Sequence, residues 1–236
     1  MDISAHPLGQ DRDRGSRASG SAGSLRRFLA RRAAGLVLGF ARVVTAVRGE
    51  WQGVEPRDIQ RIYFANHSSH GDFILVSAVL PPRLRNRTRP VAGADYWMKG
   101  RLRRFVGREV FNAVLIERDR ERRTEDPVDL MTRAVQEGAS LIVFPEGTRN
   151  TGDLPLMPFK SGLYHLAKAC PAVELVPVWI ANLNRVLPKG EIVPIPLVCT
   201  VTFGAALHIG EAEAKEDFLR RAEMALLSLA PNGNSP

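Results

Sequence analysis

The sequence predicts an α/β domain: a mainly parallel sheet, with mixed pairing left open, flanked by helices and preceded by an amphipathic N-terminal helix. Three observations carry this. Short apolar runs with the length of buried strands recur at residues 62–65, 113–116, 140–144, 175–180 and 198–203. Segments with helical spacing separate most of them, as in strand–helix–strand units. Several strand ends run straight into polar residues, at Asn66–Ser69, Glu117–Arg118 and Glu146–Arg149, where a parallel sheet presents its binding edge. A chain of 236 residues with 44% hydrophobic content is enough for one well-buried core.

Residues 1–24 are rich in Gly, Ser, Arg and Asp and lack apolar periodicity, so a disordered tail without a signal-peptide pattern is expected. Residues 25–48 open with paired arginines and continue into an apolar run broken by Arg42. The run is far short of the roughly 20 residues that cross a bilayer. It reads as a membrane-interface helix, with a core-packed helix bearing a basic face as the alternative. The main domain is expected over 49–230 and a short tail over 231–236. Within the domain, the strand at 62–65 is followed by a helix from Phe73 to Leu80, which Pro81-Pro82 should stop. A short strand over 90–92 and a helix over 96–106 come next. Val128, Met131, Ala134 and Val135 mark a helix ending at Gly138. Helices are also expected from about Gly162 to Ala169 and from Glu213 to Leu229.

The net charge of +8 is concentrated. Nine basic residues between Arg83 and Arg108 face only Asp95. Such a belt implies an anionic partner: a membrane surface or a phosphorylated ligand, with nucleic acid disfavoured because no RNA-binding or zinc-finger motif accompanies it. Cys170 and Cys199 form neither a disulfide framework nor a metal-spaced pair.

The chemistry concentrates in Asn66-His67-Ser68-Ser69-His70-Gly71-Asp72. His67 should stand at a strand end and Asp72 in the first turn of a helix, with Ser68 or Ser69 as its cap. On one continuous helix, five residues subtend roughly 140°, so the two side chains meet only if the chain turns between them. Gly71 and the serines permit that turn. A carboxylate beside an imidazole fixes its tautomer and stabilises its charged form, which suits a general base. Glu146, Gly147, Thr148 and Arg149 combine a close-approach glycine, a hydroxyl and a guanidinium fork suited to phosphate oxygens. Arg118 and Lys160 are further candidate clamps, and an internal Glu146–Arg149 ion pair is the structural alternative. His67, His70 and Asp72 have side chains that bind zinc, but no later histidine block completes a site and none is expected. There is neither a Gly-x-Ser-x-Gly elbow nor a Walker loop.

These residues resemble the conserved blocks of the glycerolipid acyltransferases, which include the 1-acylglycerol-3-phosphate acyltransferases. Asn66 to Asp72 looks like the His-x4-Asp block, and Phe144-Pro145-Glu146-Gly147-Thr148-Arg149 is similar to the third block. Phe111–Arg118 resembles the second and Val176–Val178 the fourth, in the family's order over roughly residues 60–180. His70 and Gly71 depart from it, standing where bulkier apolar residues are common. The resemblance implies His67 and Asp72 as catalytic residues. It implies Arg118, Glu146, Gly147, Thr148, Arg149 and Lys160 as binders of the acceptor. It implies acyl-CoA or acyl-carrier protein as cosubstrate, no other cofactor, and a lysolipid acceptor. The acceptor is 1-acyl-sn-glycerol-3-phosphate or another lysolipid such as lyso-ornithine lipid. A peripheral or monotopic position on the cytoplasmic face of the cell membrane follows as an expectation. A non-catalytic lipid-binding protein on an anionic surface is the alternative from another class.

Overall fold

A computed structural model describes residues 28–30, 32–42, 45–119, 121–181 and 199–231. The expected tail over 1–24, the first residues of the interface helix and residues 232–236 lie outside the described residues.

Among the described residues, seven strands form one sheet: β1 (Arg48–Trp51), β2 (Arg61–Ala65), β3 (Thr88–Gly93), β4 (Val114–Ile116), β5 (Ser140–Val143), β6 (Glu174–Ala181) and β7 (Thr200–Phe203). Their spatial order is β1-β7-β6-β2-β5-β3-β4. All neighbours are parallel except β6 and β7. The α/β sheet is therefore mainly parallel and mixed at one end, as the alternation of elements indicates. The central strands are apolar on both sides because both faces are covered. Tyr63 and Ala65 of β2 enter one core layer, while Ile62 and Phe64 enter the other.

The first layer lies against the N-terminal helix (α1, helical at 28–30, 32–42 and 45) and α2 (Asp72–Val79). The second lies against α6 (Pro127–Gln136), α7 (Gly162–Ala169) and α8 (Lys215–Leu227). Asp126 caps α6 by accepting the Val128 N–H at 2.7 Å, Pro127 fills its first turn, and Gly138 (φ +89°) follows its end. On α1, Leu38 and Thr45 are buried, while Leu29, Leu36 and Phe40 are exposed at 51%, 76% and 71%. Spacings of seven and eleven residues place those three on one stripe, opposite Leu38. The helix thus packs on the core and also presents an apolar stripe outward. Arg42 donates to the Ala78 carbonyl, joining α1 to the C-terminal end of α2. Among the described residues, no helix is long and apolar enough to cross a membrane.

One expectation is corrected and two features are added. Pro82 does not only stop α2; it fills the first turn of a further short helix, α3 (Pro82–Arg85), a position where proline's missing N–H costs nothing. The single helix over 96–106 is instead α4 (Ala94–Trp97) and α5 (Arg101–Phe105), separated at Gly100 (φ +92°) and followed by a π-helical turn, Val106–Val110. Strand β1 has no counterpart among the expected strands. Its residues are mostly exposed, and it is made by pairing with β7 and by Trp51 stacking on Phe203 at 4.0 Å.

Candidate functional site

Strands β2, β5, β3 and β4 are consecutive and parallel, so the loops at their carboxyl ends share one edge. The helix after β2 covers one face of the sheet and the helix after β5 covers the other. The crevice between β2 and β5 is therefore a topological switch point, the usual place for a ligand in such sheets. A cavity of about 690 Å³ opens there. It brings together His67, Arg118, Gly147, Thr148, Arg149 and Lys160.

His67 is held by three elements. Asn66 bridges to β6, its Nδ2 donating to the Ile180 carbonyl (3.0 Å) and its Oδ1 accepting the Ile180 N–H (2.8 Å). The His67 N–H donates to Glu146 Oε1 at 2.7 Å, and its carbonyl accepts the Asn150 N–H at 2.7 Å. The ring lies against Phe144 with centroids 4.2 Å apart. The two sequence blocks thus clamp one another, and Asn150 is a site residue that sequence reasoning missed. Nothing about an isolated asparagine four residues past Glu146 signals that its backbone will be used.

Asp72 is fully buried at the start of α2. Its Oδ2 lies 2.8 Å from His67 Nδ1 and also accepts the Ser68 N–H (2.7 Å) and the Ser69 N–H (2.9 Å). The expected serine cap is corrected here. Gly71 is the capping residue and makes no side-chain cap bond. The serines contribute main-chain amides to Asp72, and Ser69 Oγ accepts the Gly71 N–H. A carboxylate only accepts, so it places the His67 proton on Nδ1 and leaves the Nε2 lone pair available as a base.

Glu146 does not line the cavity. It is buried, and its Oε2 accepts the Met157 N–H at 3.0 Å while Oε1 serves His67. Burial pushes its carboxyl pKa up, opposed by the two amides. Among the described residues it makes no ion pair with Arg149, which corrects the internal-pair alternative. Gly147 has φ +73°, and a Cβ there would come within 2.8–2.9 Å of the Lys160 side chain. Its bare backbone lets Lys160 lie across the loop. Arg118 crosses Gly93 at the end of β3, where a Cβ would sit 2.7 Å from Arg118 Nε, and it faces Asp95 at 4.0 Å. Asp95, Tyr96, Glu117 and Arg123 also line the cavity. The charged run after β4 reads as a solvated loop apart from Arg118, yet Arg123 is turned back by donating to the Glu117 carbonyl. Apolar side chains line the cavity from both core layers, Phe73 and Trp97 from the first and Val91, Met131, Leu163 and Leu166 from the second. Among the described residues, no three His, Cys, Asp or Glu side chains cluster as a metal site.

This arrangement offers a proton acceptor, a set of cations and apolar lining within one cavity. It can bind a phosphorylated amphiphile and deprotonate its hydroxyl. Residues 51–181 match the family model described as Acyltransferase. A 1-acyl-sn-glycerol-3-phosphate acyltransferase from Haemophilus influenzae is 28% identical over 137 residues, covering 52% of this chain and 51% of that protein. One from Saccharomyces cerevisiae is 30% identical over 136 residues, covering 54% of this chain and 41% of its own length. The chain thus spans about half the length of these curated relatives, or less. The crystal structure of the 1-acyl-sn-glycerophosphate acyltransferase PlsC from Thermotoga maritima superimposes with a TM-score of 0.64 at 20% identity, covering 89% of this chain and 86% of that one, a likeness of fold. The family match embraces β2, β5 and every residue singled out above, and by it the chain belongs to the acyltransferase family.

Proposed function

We propose that the protein moves a fatty acyl chain from an acyl thioester, acyl-CoA or acyl-carrier protein, to the free hydroxyl of 1-acyl-sn-glycerol-3-phosphate, giving phosphatidic acid. The observation that carries this is the His67–Asp72 pair, 2.8 Å apart, in one cavity with Arg118, Arg149 and Lys160. His67 Nε2 takes the hydroxyl proton as the acceptor oxygen attacks the thioester carbonyl. The tetrahedral intermediate collapses, the C–S bond breaks, and the imidazolium returns its proton to the leaving thiolate. Asp72 stabilises the imidazolium between the two transfers. Arg118, Arg149 and Lys160 hold the phosphate, with Gly147 and Thr148 shaping the approach. Glu146 acts one step back, through the His67 amide. No cofactor besides the acyl thioester enters.

The same reading places the protein on the cytoplasmic face of the cell membrane, on an anionic surface. The outward stripe of α1 supports it, as does Leu102 of α5, 76% exposed between Arg101 and Arg103. Within the belt, Arg87 and Arg89 pair with Asp58 and Glu137, whereas Arg101, Arg103, Arg104 and Arg108 have no carboxylate partner among the described residues. Cations around protruding apolar side chains suit an interface of anionic headgroups over acyl chains.

The test is a panel of lysolipids, including lysophosphatidate and lyso-ornithine lipid, offered with long-chain acyl-CoA or acyl-carrier protein and read by mass spectrometry. Transfer to lysophosphatidate that is lost in His67→Ala is the expected result. Transfer only to another lysolipid reassigns the acceptor. Vesicle binding without any turnover replaces the enzyme with a lipid-binding protein.

A further inference from the structure

His70 belongs to the cavity wall but has no role in the chemistry above. Its ring stacks on Tyr96 with centroids 4.0 Å apart and planes within 13°. Tyr96 in turn carries the Arg103 guanidinium 4.5 Å from its ring centre. The imidazole is thus fixed by packing against α4, in the cavity that the loop after β5 also lines. Neither ring nitrogen makes a hydrogen bond within the described residues, so both remain available to a ligand. We propose that His70 selects the acceptor headgroup by contacting its phosphate, favouring a terminal phosphate monoester over a phosphodiester.

The surroundings explain why a histidine suits this place. Arg149 approaches from the loop after β5, Arg118 from the loop after β4, and His67 from its own loop; all disfavour an imidazolium, as does burial, and only Asp72 opposes them. Asp95 and Glu117 line the same cavity from the ends of β3 and β4, and Lys160 lies over Gly147. Burial, the largest influence, lowers the His70 pKa from its ordinary value. These surroundings favour the neutral ring over the imidazolium. A bound phosphate reverses the local field and draws a proton onto the ring, adding a fourth charge-assisted donor beside Arg118, Arg149 and Lys160. A monoester reaches two negative charges, with a second pKa of about 6, whereas a diester carries one. A diester also replaces one terminal oxygen with a substituent that must pass the His70–Tyr96 wall. Both effects favour the monoester.

The inference rests on the proposed acyl transfer for its selectivity arm, and a binding arm stands apart from turnover. Full-length wild type, His70→Phe, which keeps a stacking ring, and His70→Gln, which keeps a donor, are assayed with lysophosphatidate and lysophosphatidylglycerol at pH 5.5–8.5. In His70→Phe the monoester-to-diester ratio of kcat/KM falls about tenfold, mainly through KM for the monoester. The wild-type monoester KM rises with pH as the imidazolium is lost, and His70→Gln flattens that rise. Separately, calorimetry of sn-glycerol 3-phosphate in buffers of different ionisation enthalpy shows proton uptake in wild type and less in His70→Phe. An unchanged ratio together with unchanged proton uptake overturns the inference. So does an equal kcat loss for both acceptors at unchanged KM, which marks His70 as a support for His67. If wild type acylates neither acceptor, the acyl-transfer reading fails, while loss of proton uptake in His70→Phe still upholds the phosphate contact.

Discussion

The β2–α2 turn and the cationic side chains of the neighbouring loops line the same cavity and are held in opposite ways. In the turn, Asp72 Oδ2 meets three N–H donors, and both main-chain polar groups of His67 are taken by the loop after β5. On the other side, the Arg149 and Lys160 side chains make no hydrogen bond or ion pair among the described residues, and Arg118 has only Asp95 at 4.0 Å. In the proposed mechanism the base must stand within tenths of an ångström of its proton, and a turn held this way fixes that geometry before substrate arrives. The proposed phosphate clamp would work through charge, which tolerates distance.

The largest effect should come from breaking the rigid side. His67→Ala lowers kcat by about 10² to 10⁴-fold, the range removed with a general base, while vesicle binding stays unchanged. Next comes Glu146→Ala. It strands the His67 and Met157 amides, so it costs about 1–3 kcal/mol of stability in denaturant melts and lowers kcat far more than it raises KM. A variant with wild-type kcat would mean that the clamp on His67 is dispensable. On the loose side, Arg149→Ala raises the acceptor KM by about 10 to 100-fold with little change in kcat. Increasing salt weakens acceptor binding to wild type more than to the variant.

A smaller effect is expected away from the cavity. Leu36→Ser with Phe40→Ser lowers partition onto anionic vesicles by about tenfold or more, because each side chain withdraws about 1.5–3 kcal/mol of apolar burial. Activity on detergent-dispersed acceptor should persist, and unchanged sedimentation with vesicles would remove α1 from the interface.

The smallest is a pH trend. The folded-state pKa of Glu146 lies above its ordinary value of 4.5, so the unfolded chain releases this proton first as pH rises. Stability linked to Glu146 is therefore greatest below about 4.5 and declines as pH rises through the raised value. Thermal melts of wild type should show this decline relative to Glu146→Gln, and parallel curves would remove it.

How much of this could be read in the chain follows from the range of each interaction. Strands β2, β5 and β6 are legible because both of their faces are buried, so nearly every residue is apolar. The strand–helix alternation then requires a largely parallel sheet, and the polar residues after β2, β4 and β5 become candidates for one edge. His67 and Asp72 are legible as a pair because the glycine and serines between them allow only a local turn to unite them. Strand β1 is not, since its polar residues acquire extended structure only from β7.

By itself the sequence determined the α/β class, the pairing of His67 with Asp72, and a set of cations at the strand ends. Those are consequences of local pattern and of side-chain chemistry. Only the tertiary structure decided that Glu146 faces the His67 amide instead of the ligand, and that Asn150 grips the His67 carbonyl. It alone brought Arg123 back to the cavity and laid His70 on Tyr96. These are contacts between segments distant in the chain, such as His67 with Glu146, 79 residues apart. No periodicity encodes them, because a side chain's partner across a sheet edge depends on strand order, and strand order is settled by how the whole core packs.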